Sequence, residues 1–139
     1  MSVNDLRQSD MMAHLLDALD AGQDIGHYGR LVFVMVAHHF CDDDELISQL
    51  AKDPNVSEAD ATTLVKQVRA RNYNPPSRER ILEWQSRQDV PICPNPEDPR
   101  ACNVYRDLQF PEGVYEDIHE FYEDTADEST EAARLTPKR

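Results

Sequence analysis

Apolar residues recur at helical spacing along most of the chain. Between Leu6 and Leu19 four of them follow the i, i+3, i+4, i+7 pattern of an amphipathic helix: Met12, Leu15, Leu16 and Leu19. Gly22 marks the expected end of this helix. A second helix is predicted to begin near Gly26 to Tyr28 and to run to about Phe40. It contains an unbroken apolar run, so it should be the central and most buried helix.

Two further helices have recognisable start and stop signals. The acids Asp42 to Asp44 favour a helix start through capping and the helix dipole, and this helix should stop before Pro54. Ser57 followed by Asp60 is close to a capping box. The apolar spacing after it predicts a helix that ends near Arg71.

The C-terminal third begins with a proline break. Pro75 and Pro76 exclude the helical conformation from the residues before them, and Ser77 can then cap a short helix that contains Trp84. From Val90 to Pro99 four prolines predict a loop. A last helix is predicted near residues 113–123, with aromatic residues on one side.

These elements predict the fold class and the domain organisation. Strand signals are weak, so the fold should be mainly α: a compact single-domain helical bundle with a long Pro-rich loop near residues 90–102. Residues 1–123 form the predicted helical domain. Residues 124–139 are predicted to be a disordered, polar tail of an acidic C-terminal region.

The net charge of −13 is distributed unevenly. Nine acids and no lysine or arginine lie between Glu112 and Glu131. The segment from Lys66 to Arg87 holds six bases against two acids and is the one candidate basic face. The overall charge repels a polyanion, so any contact with nucleic acid should involve this segment or a local site.

No apolar stretch is long enough to span a membrane, and the first ten residues do not resemble a secretion signal. A cytoplasmic location is therefore expected. In that compartment the three cysteines Cys41, Cys93 and Cys102 should be free thiols or metal ligands rather than a disulfide framework. His38 and His39 lie beside Cys41, but neighbouring helical residues point apart, so no zinc site is expected there.

His27 and Arg30 form an H-x-x-R group at the expected start of the buried helix. A helix N-terminus has unpaired N–H groups and a positive dipole, so an imidazole and a guanidinium there suit a phosphate. Gly29 would let such a ligand approach the backbone. The alternative is that Arg30 extends to solvent and His27 only caps the helix.

An ordered series of motifs extends this pattern. It comprises the Leu-Leu pair of the first helix, H-x-x-R, Asp53-Pro54, Tyr73-Asn-Pro-Pro-Ser, Cys93-Pro, Cys102 and Phe110-Pro. The series resembles the C-terminal iron–sulfur domain of the archaeal and eukaryotic DNA primase large subunit, and the resemblance runs from about Met11 to Ile118. It implies a domain that binds the template and the 5′-triphosphate of the initiating nucleotide, and that assists a catalytic subunit.

The resemblance also implies site residues. His27 and Arg30 match the family's H-x-x-R and would contact the triphosphate or the template backbone. Independently of the resemblance, Arg71 and Tyr73 are further candidates for nucleic-acid contact: Tyr73 and Trp84 could stack on a base beside Arg71, but packing in a turn or in the core is the favoured interpretation of both rings. Where the family's helix offers Tyr and His to the template, this chain has other residues, Thr63 and Gln67.

The family holds a [4Fe–4S] cluster by four cysteines, and this chain departs from that pattern. Cys93 and Cys102 match two positions, but the other two fall near Met11 and on Arg78. A thioether and a guanidinium do not replace thiolate ligands, so we expect no cluster and no other cofactor. Cys93 and Cys102 would remain as a structural remnant.

Two other side chains bear on the former cluster site. Cys41 has no match in the family pattern, and His14 could approach the position near Met11 but would still leave the Arg78 position without a ligand. Arg78 is expected to fill the site and to pair its charge with an acid: Glu79, Glu83 or another.

The functional expectation is a non-catalytic, primase-large-subunit-like module, because no nucleophile, phosphate loop or paired carboxylates are visible. Its expected ligands are a nucleoside triphosphate and a primed DNA template. Its expected partner is a primase catalytic subunit or primase-polymerase, and no membrane is involved. The alternative is a protein-interaction or scaffold domain that keeps the fold and has lost nucleic-acid binding.

Overall fold

A computed structural model describes residues 3–115 of the chain. Within this range there are seven helices, a further helical stretch at residues 112–115 and no strand, which confirms the prediction of a mainly α fold. The helices are α1 (Val3–Leu6), α2 (Asp10–Asp20), α3 (His27–Ala37), α4 (Asp43–Leu50), α5 (Glu58–Arg71), α6 (Arg78–Gln85) and α7 (Val104–Asp107).

Side-chain caps fix where the helices begin. The caps predicted from sequence are present at three of them: Asp42 for α4, Ser57 with Asp60 for α5, and Ser77 for α6. The first amphipathic helix starts later than its apolar spacing predicts. The Ser9 hydroxyl accepts a hydrogen bond from the Met12 N–H at 3.2 Å, so α2 begins at Asp10 and α1 is a separate short helix.

Helix α3 is the centre of the fold, as its apolar run predicts. Seven of its eleven residues are buried, and it packs against α2, α4, α5 and α6. Phe33 is fully buried in this core, and burying such a side chain stabilises a fold by about 1.5–3 kcal/mol. The apolar faces of the surrounding helices meet α3, whose first residue, His27, is exposed and whose last residue, Ala37, is buried.

The Pro-rich segment between α6 and α7 is a loop, as predicted, and it contains Cys93 and Cys102. Helix α7 was not predicted, because its four residues are too few to show a helical spacing. The side chain of Asn103 caps its start. After α7 the chain returns to the core through Phe110, whose ring contacts those of Phe40 and Tyr105.

Two expectations concern the C-terminal end of the chain. The helix predicted near residues 113–123 lies mostly outside the described residues, and the tail predicted for residues 124–139 lies wholly outside them. None of the helices within residues 3–115 has both the length and the apolar character that crossing a bilayer requires.

The end of α3 brings two histidine rings together. The ring centroids of His38 and His39 lie 3.9 Å apart, contrary to the expectation that these neighbours point apart, because α3 ends at Ala37 and both residues lie in the following turn. The His38 Nε2 lies 3.2 Å from the Tyr73 carbonyl. The His39 Nε2 is buried and has no hydrogen-bond partner among the described residues.

Acidification is expected to destabilise the fold through this histidine pair. Burial lowers the pKa of His38, and burial together with the His38 charge lowers the pKa of His39 to about 4. Unfolded histidines take up protons near pH 6.5, whereas these folded ones do so only at lower pH. Their stabilising contribution is therefore complete above about pH 6.5 and is lost as the pH falls towards 4.

Thermal unfolding at about pH 7 and at about pH 4.5 tests this expectation. On acidification, the melting temperature of the wild type should fall further than that of His39→Leu, because this variant lacks one of the two histidines whose pKa is lowered. Equal pH dependence in the two proteins would mean that the stability loss comes from other groups.

Candidate functional site

The start of α3 is set by a loop with two glycines in the left-handed region, Gly22 (φ +72°) and Gly26 (φ +81°). A Cβ at Gly26 would also lie only 2.5 Å from the Nε2 of Gln88. Gly26 is therefore required both for its conformation and for space. The loop makes His27 the first residue of α3 and puts Arg30 about one turn further along.

Two acids hold Arg30. Its Nη1 donates to Asp24 Oδ1 and to Asp53 Oδ2, each at 3.1 Å. The Arg30 side chain is 19% exposed and that of Asp53 is 0% exposed. The Gly26 N–H and the Arg30 charge lower the pKa of Asp24, although partial burial opposes them. Because both contacts use Nη1, neither acid occupies the donors on Nε and Nη2.

His27 and Arg30 line the same open groove, of about 240 Å³, between α3 and α5. The opposite wall is formed by residues of α5: Asp60, Thr63, Leu64 and Gln67. His27 is exposed, and Arg30 is half-buried. The groove therefore brings together the two residues of the H-x-x-R group and Thr63 and Gln67 of α5. In the family that the chain resembles, the last two positions are Tyr and His.

The backbone at the start of α3 is less accessible to a phosphate than the sequence suggests. The N–H of Tyr28, in the first turn of α3, donates to the Oε1 of Gln88 at 2.8 Å, so this donor is already occupied. Gly29 is buried, and a Cβ there would lie 3.3 Å from that of Ile25, so Gly29 serves packing rather than ligand approach. Anion binding in the groove would depend on side chains.

The basic segment from Lys66 to Arg87 is not one free basic face. Arg69 donates to the carbonyls of His38 and Cys41 and pairs with Asp43, so it supports the turn after α3. Arg87 pairs with Glu83 on the same helix. The local positive charge expected for ligand binding is therefore smaller than the sequence count indicates.

Arg71 and Tyr73 form a second, separate contact. The Arg71 Nη1 donates to the Tyr73 hydroxyl at 3.0 Å, and the guanidinium lies 6.0 Å from the ring centroid. Neither residue lines the groove. Arg71 lies four residues beyond Gln67 on α5, so it continues the stripe of the helix that faces the groove.

Cys93 and Cys102 form a disulfide, with their Cα atoms 5.8 Å apart. The expectation that they are free thiols or metal ligands is therefore wrong for these two. It rested on the expected compartment, whereas the Pro-rich loop folds back and places the two side chains together. Cys41 is buried and free, as expected, and burial raises the pKa of its thiol to about 12.

Three of the four positions that the resemblance matches to cluster ligands, Cys93, Cys102 and Arg78, lie together at this loop. Asp10, next to the buried Met11, lines a pocket of about 210 Å³ together with Cys102. The Arg78 guanidinium donates to three carbonyls of the loop that the disulfide closes: Pro96, Asp98 and Ala101. Arg78 therefore binds backbone carbonyls of this loop rather than the acid that was expected.

This donor set does not fit an iron–sulfur cluster. Its two sulfur ligands are paired with each other, and the remaining positions carry a thioether and a guanidinium, which are not competent ligands. His14 contacts the Pro91 carbonyl at 3.3 Å. Among residues 3–115 no three histidine, cysteine or acidic side chains are grouped as a metal site requires.

Two residues that position the site, Gln88 and Asp53, were not identified from the sequence as parts of it. Gln88 accepts from the Tyr28 N–H and donates to the carbonyls of Ile25 and Val90. Asp53 joins the loop before α3 to the segment after α4. Both act over long sequence separations, which helical spacing does not encode.

Comparison of the chain with protein-family models, with curated proteins and with solved structures found no match. The contacts of the groove and the order of the motifs along the chain are therefore the basis for assigning a function.

Proposed function

We propose that this chain is a non-catalytic accessory module that binds the 5′-triphosphate of an initiating nucleotide, or a template–primer junction, for a separate primase or primase-polymerase. The observation that carries the proposal is the groove between α3 and α5. It brings His27 and Arg30, the two residues that the resemblance to the primase large subunit selects, together with Thr63 and Gln67, which stand where the family offers Tyr and His to the template.

The chemistry of the groove supports a terminal phosphate as its ligand. Within residues 3–115 the Nε and Nη2 of Arg30 donate to no other group, although Asp24 and Asp53 offset its charge through Nη1, and a guanidinium binds phosphate oxygens with two parallel hydrogen bonds. His27 is exposed at the mouth of the groove, and Thr63 and Gln67 add neutral polar groups. Asp24 and Asp53 fix the position of Arg30, so its geometry does not depend on the ligand.

The former cluster site supports the same proposal. Cys93, Cys102 and Arg78, which match three of the family's four cysteine positions, lie together at the 93–102 loop, and Asp10, next to the fourth position, lines a pocket with Cys102. A disulfide and an arginine that binds three loop carbonyls would then hold the loop that a cluster holds in the family.

Conservative variants of the groove test the proposal. Arg30→Lys keeps a cation beside the buried Asp53 but loses the two-pronged phosphate contact, and it should weaken binding to a 5′-triphosphorylated primed template by about fivefold to tenfold. His27→Ala should weaken it by about threefold to fivefold. Fluorescence anisotropy at low ionic strength measures both affinities.

The matched control is Arg100→Lys, which makes the same substitution at an exposed arginine of the 93–102 loop. It should bind as the wild type does. Circular dichroism verifies that all three variants are folded. Wild-type affinity in both groove variants would contradict the proposal.

One observation favours the second candidate, a protein-interaction domain. A larger groove of about 430 Å³ lies at α4 and α5, with Ile47 and Ala51 between the acids Asp44 and Glu58. An apolar strip flanked by acids suits a basic amphipathic helix. In this alternative, the groove variants of α3 change nothing, whereas Ile47→Asp abolishes binding of the partner chain.

A further inference from the structure

The only tryptophan of the chain lies beside the start of α3. Trp84, on α6, has its ring nearly parallel to that of Tyr28, with an interplanar angle of 18° and a centroid separation of 5.8 Å. Both side chains are half-buried, so each retains contact with solvent. The pair joins two helices that are not adjacent in sequence.

The geometry of the pair leaves aromatic surface uncovered. Atoms of rings in direct face-to-face contact lie about 3.5–4.0 Å apart. Parallel rings whose centroids are 5.8 Å apart are therefore offset, and part of each face is not covered by the other. The two rings form a stepped aromatic surface, and a flat ligand could lie on its uncovered part, beside the Arg80 guanidinium that lies over the Trp84 ring.

Positive and hydrogen-bonding groups flank this surface. The Arg80 guanidinium lies 5.7 Å from the centroid of the Trp84 ring, at cation–π distance. The His27 and Tyr28 rings form a T-shaped pair, with an interplanar angle of 74° and centroids 5.0 Å apart. Neither Arg80 nor His27 has an acidic partner within the described residues.

His27 lies between the aromatic surface and the groove between α3 and α5. It lines the groove with Arg30 and contacts Tyr28 with its ring. A nucleotide bound at His27 through phosphate would therefore have a neighbouring base within reach of Tyr28 and Trp84. Stacking of unpaired bases on aromatic rings beside cations is the usual means of binding single strands.

We infer that Tyr28 and Trp84, flanked by Arg80 and His27, form a stacking platform for one unpaired nucleobase of a single strand that continues from the phosphate groove. The inference rests on the proposed function for the identity of the ligand as nucleic acid. The platform reads the flat face of a base, so it should accept any base and both sugar types.

Intrinsic fluorescence reports on the platform directly, because Trp84 is the only tryptophan. Titration with a short oligothymidylate, and with the matching oligouridylate, should quench the Trp84 emission in both cases. Inorganic tripolyphosphate has no base and should not quench it. Quenching by tripolyphosphate alone, or none by either oligonucleotide, would overturn the inference.

Variants localise the effect. Tyr28→Leu and Trp84→Leu should each weaken binding of a labelled oligothymidylate by at least about fivefold, measured by anisotropy. Leu82→Ala, which removes a half-buried apolar side chain from the same helix, is the control for general damage to α6 and should bind normally. If Trp84→Leu is poorly folded, Tyr28→Leu decides the question. Normal binding by folded Tyr28→Leu contradicts the platform.

The outcomes separate the platform from the proposed function. Quenching without any preference for a 5′-triphosphate supports the platform and contradicts the triphosphate role of the groove. A preference for the triphosphate that Arg30→Lys abolishes, without quenching of Trp84, supports the groove and contradicts the platform.

Discussion

Replacing Asp53 by alanine is expected to destabilise the fold by about 3–5 kcal/mol, the cost of breaking a buried ion pair by removing one partner. The Asp53 Oδ2 accepts from the Ile25 N–H at 3.0 Å and from Arg30 at 3.1 Å, and its Oδ1 accepts from the Asn55 N–H at 2.8 Å. The substitution removes all three hydrogen bonds and leaves Arg30 with only its partly exposed partner, Asp24.

Asp24→Ala is the matched control, because Asp24 is the other acid that contacts Arg30 but its side chain is 39% exposed. Its removal should cost about 1 kcal/mol or less, as for an exposed ion pair. Urea unfolding followed by circular dichroism gives both free energies. Equal losses in the two variants would mean that the buried carboxylate is not what holds Arg30 and the loop before α3.

Removing the disulfide is expected to cost about 2–4 kcal/mol, with the double variant Cys93→Ser and Cys102→Ser. The bond closes a loop over a sequence separation of nine residues and ties down a segment that has no helix of its own. Without it, the unfolded chain gains conformational freedom, and in the folded chain Arg78 alone holds the loop carbonyls.

A reductant tests the same bond without mutation. It should lower the melting temperature of the wild type and leave that of the double variant unchanged, because Cys41 is free in both proteins. Two results together would contradict the pairing of Cys93 with Cys102. The wild-type melting temperature would not respond to the reductant, and a thiol assay of the denatured, unreduced protein would find three free thiols.

Most of the fold could be predicted because its signals are local. A cap and the N–H that it accepts from are three residues apart, as at Ser57 and Asp60, and the apolar run of α3 identifies the core within one segment. The start of α2 was predicted too early because apolar spacing continues through Leu6, and only the Ser9 cap sets the boundary.

The candidate site was predictable in part, for the same reason. His27 and Arg30 are one turn apart, so their placement at the head of α3 follows from sequence. The hydrogen bond from the Tyr28 N–H to Gln88 joins residues that are sixty positions apart. The ion pair between Arg30 and Asp53 joins residues that are twenty-three positions apart. Such contacts form only when the helices pack, and no spacing rule contains them.

The most direct test of the central claim is a nuclear magnetic resonance titration of the isotope-labelled wild-type protein with two primed templates that differ only in a 5′-triphosphate or a 5′-hydroxyl. The account predicts that signals of His27, Thr63 and Gln67 move with the triphosphate and not with the hydroxyl, while Ser48 in the α4–α5 groove stays unchanged. Identical shifts with the two templates, or shifts confined to the α4–α5 groove, would contradict it.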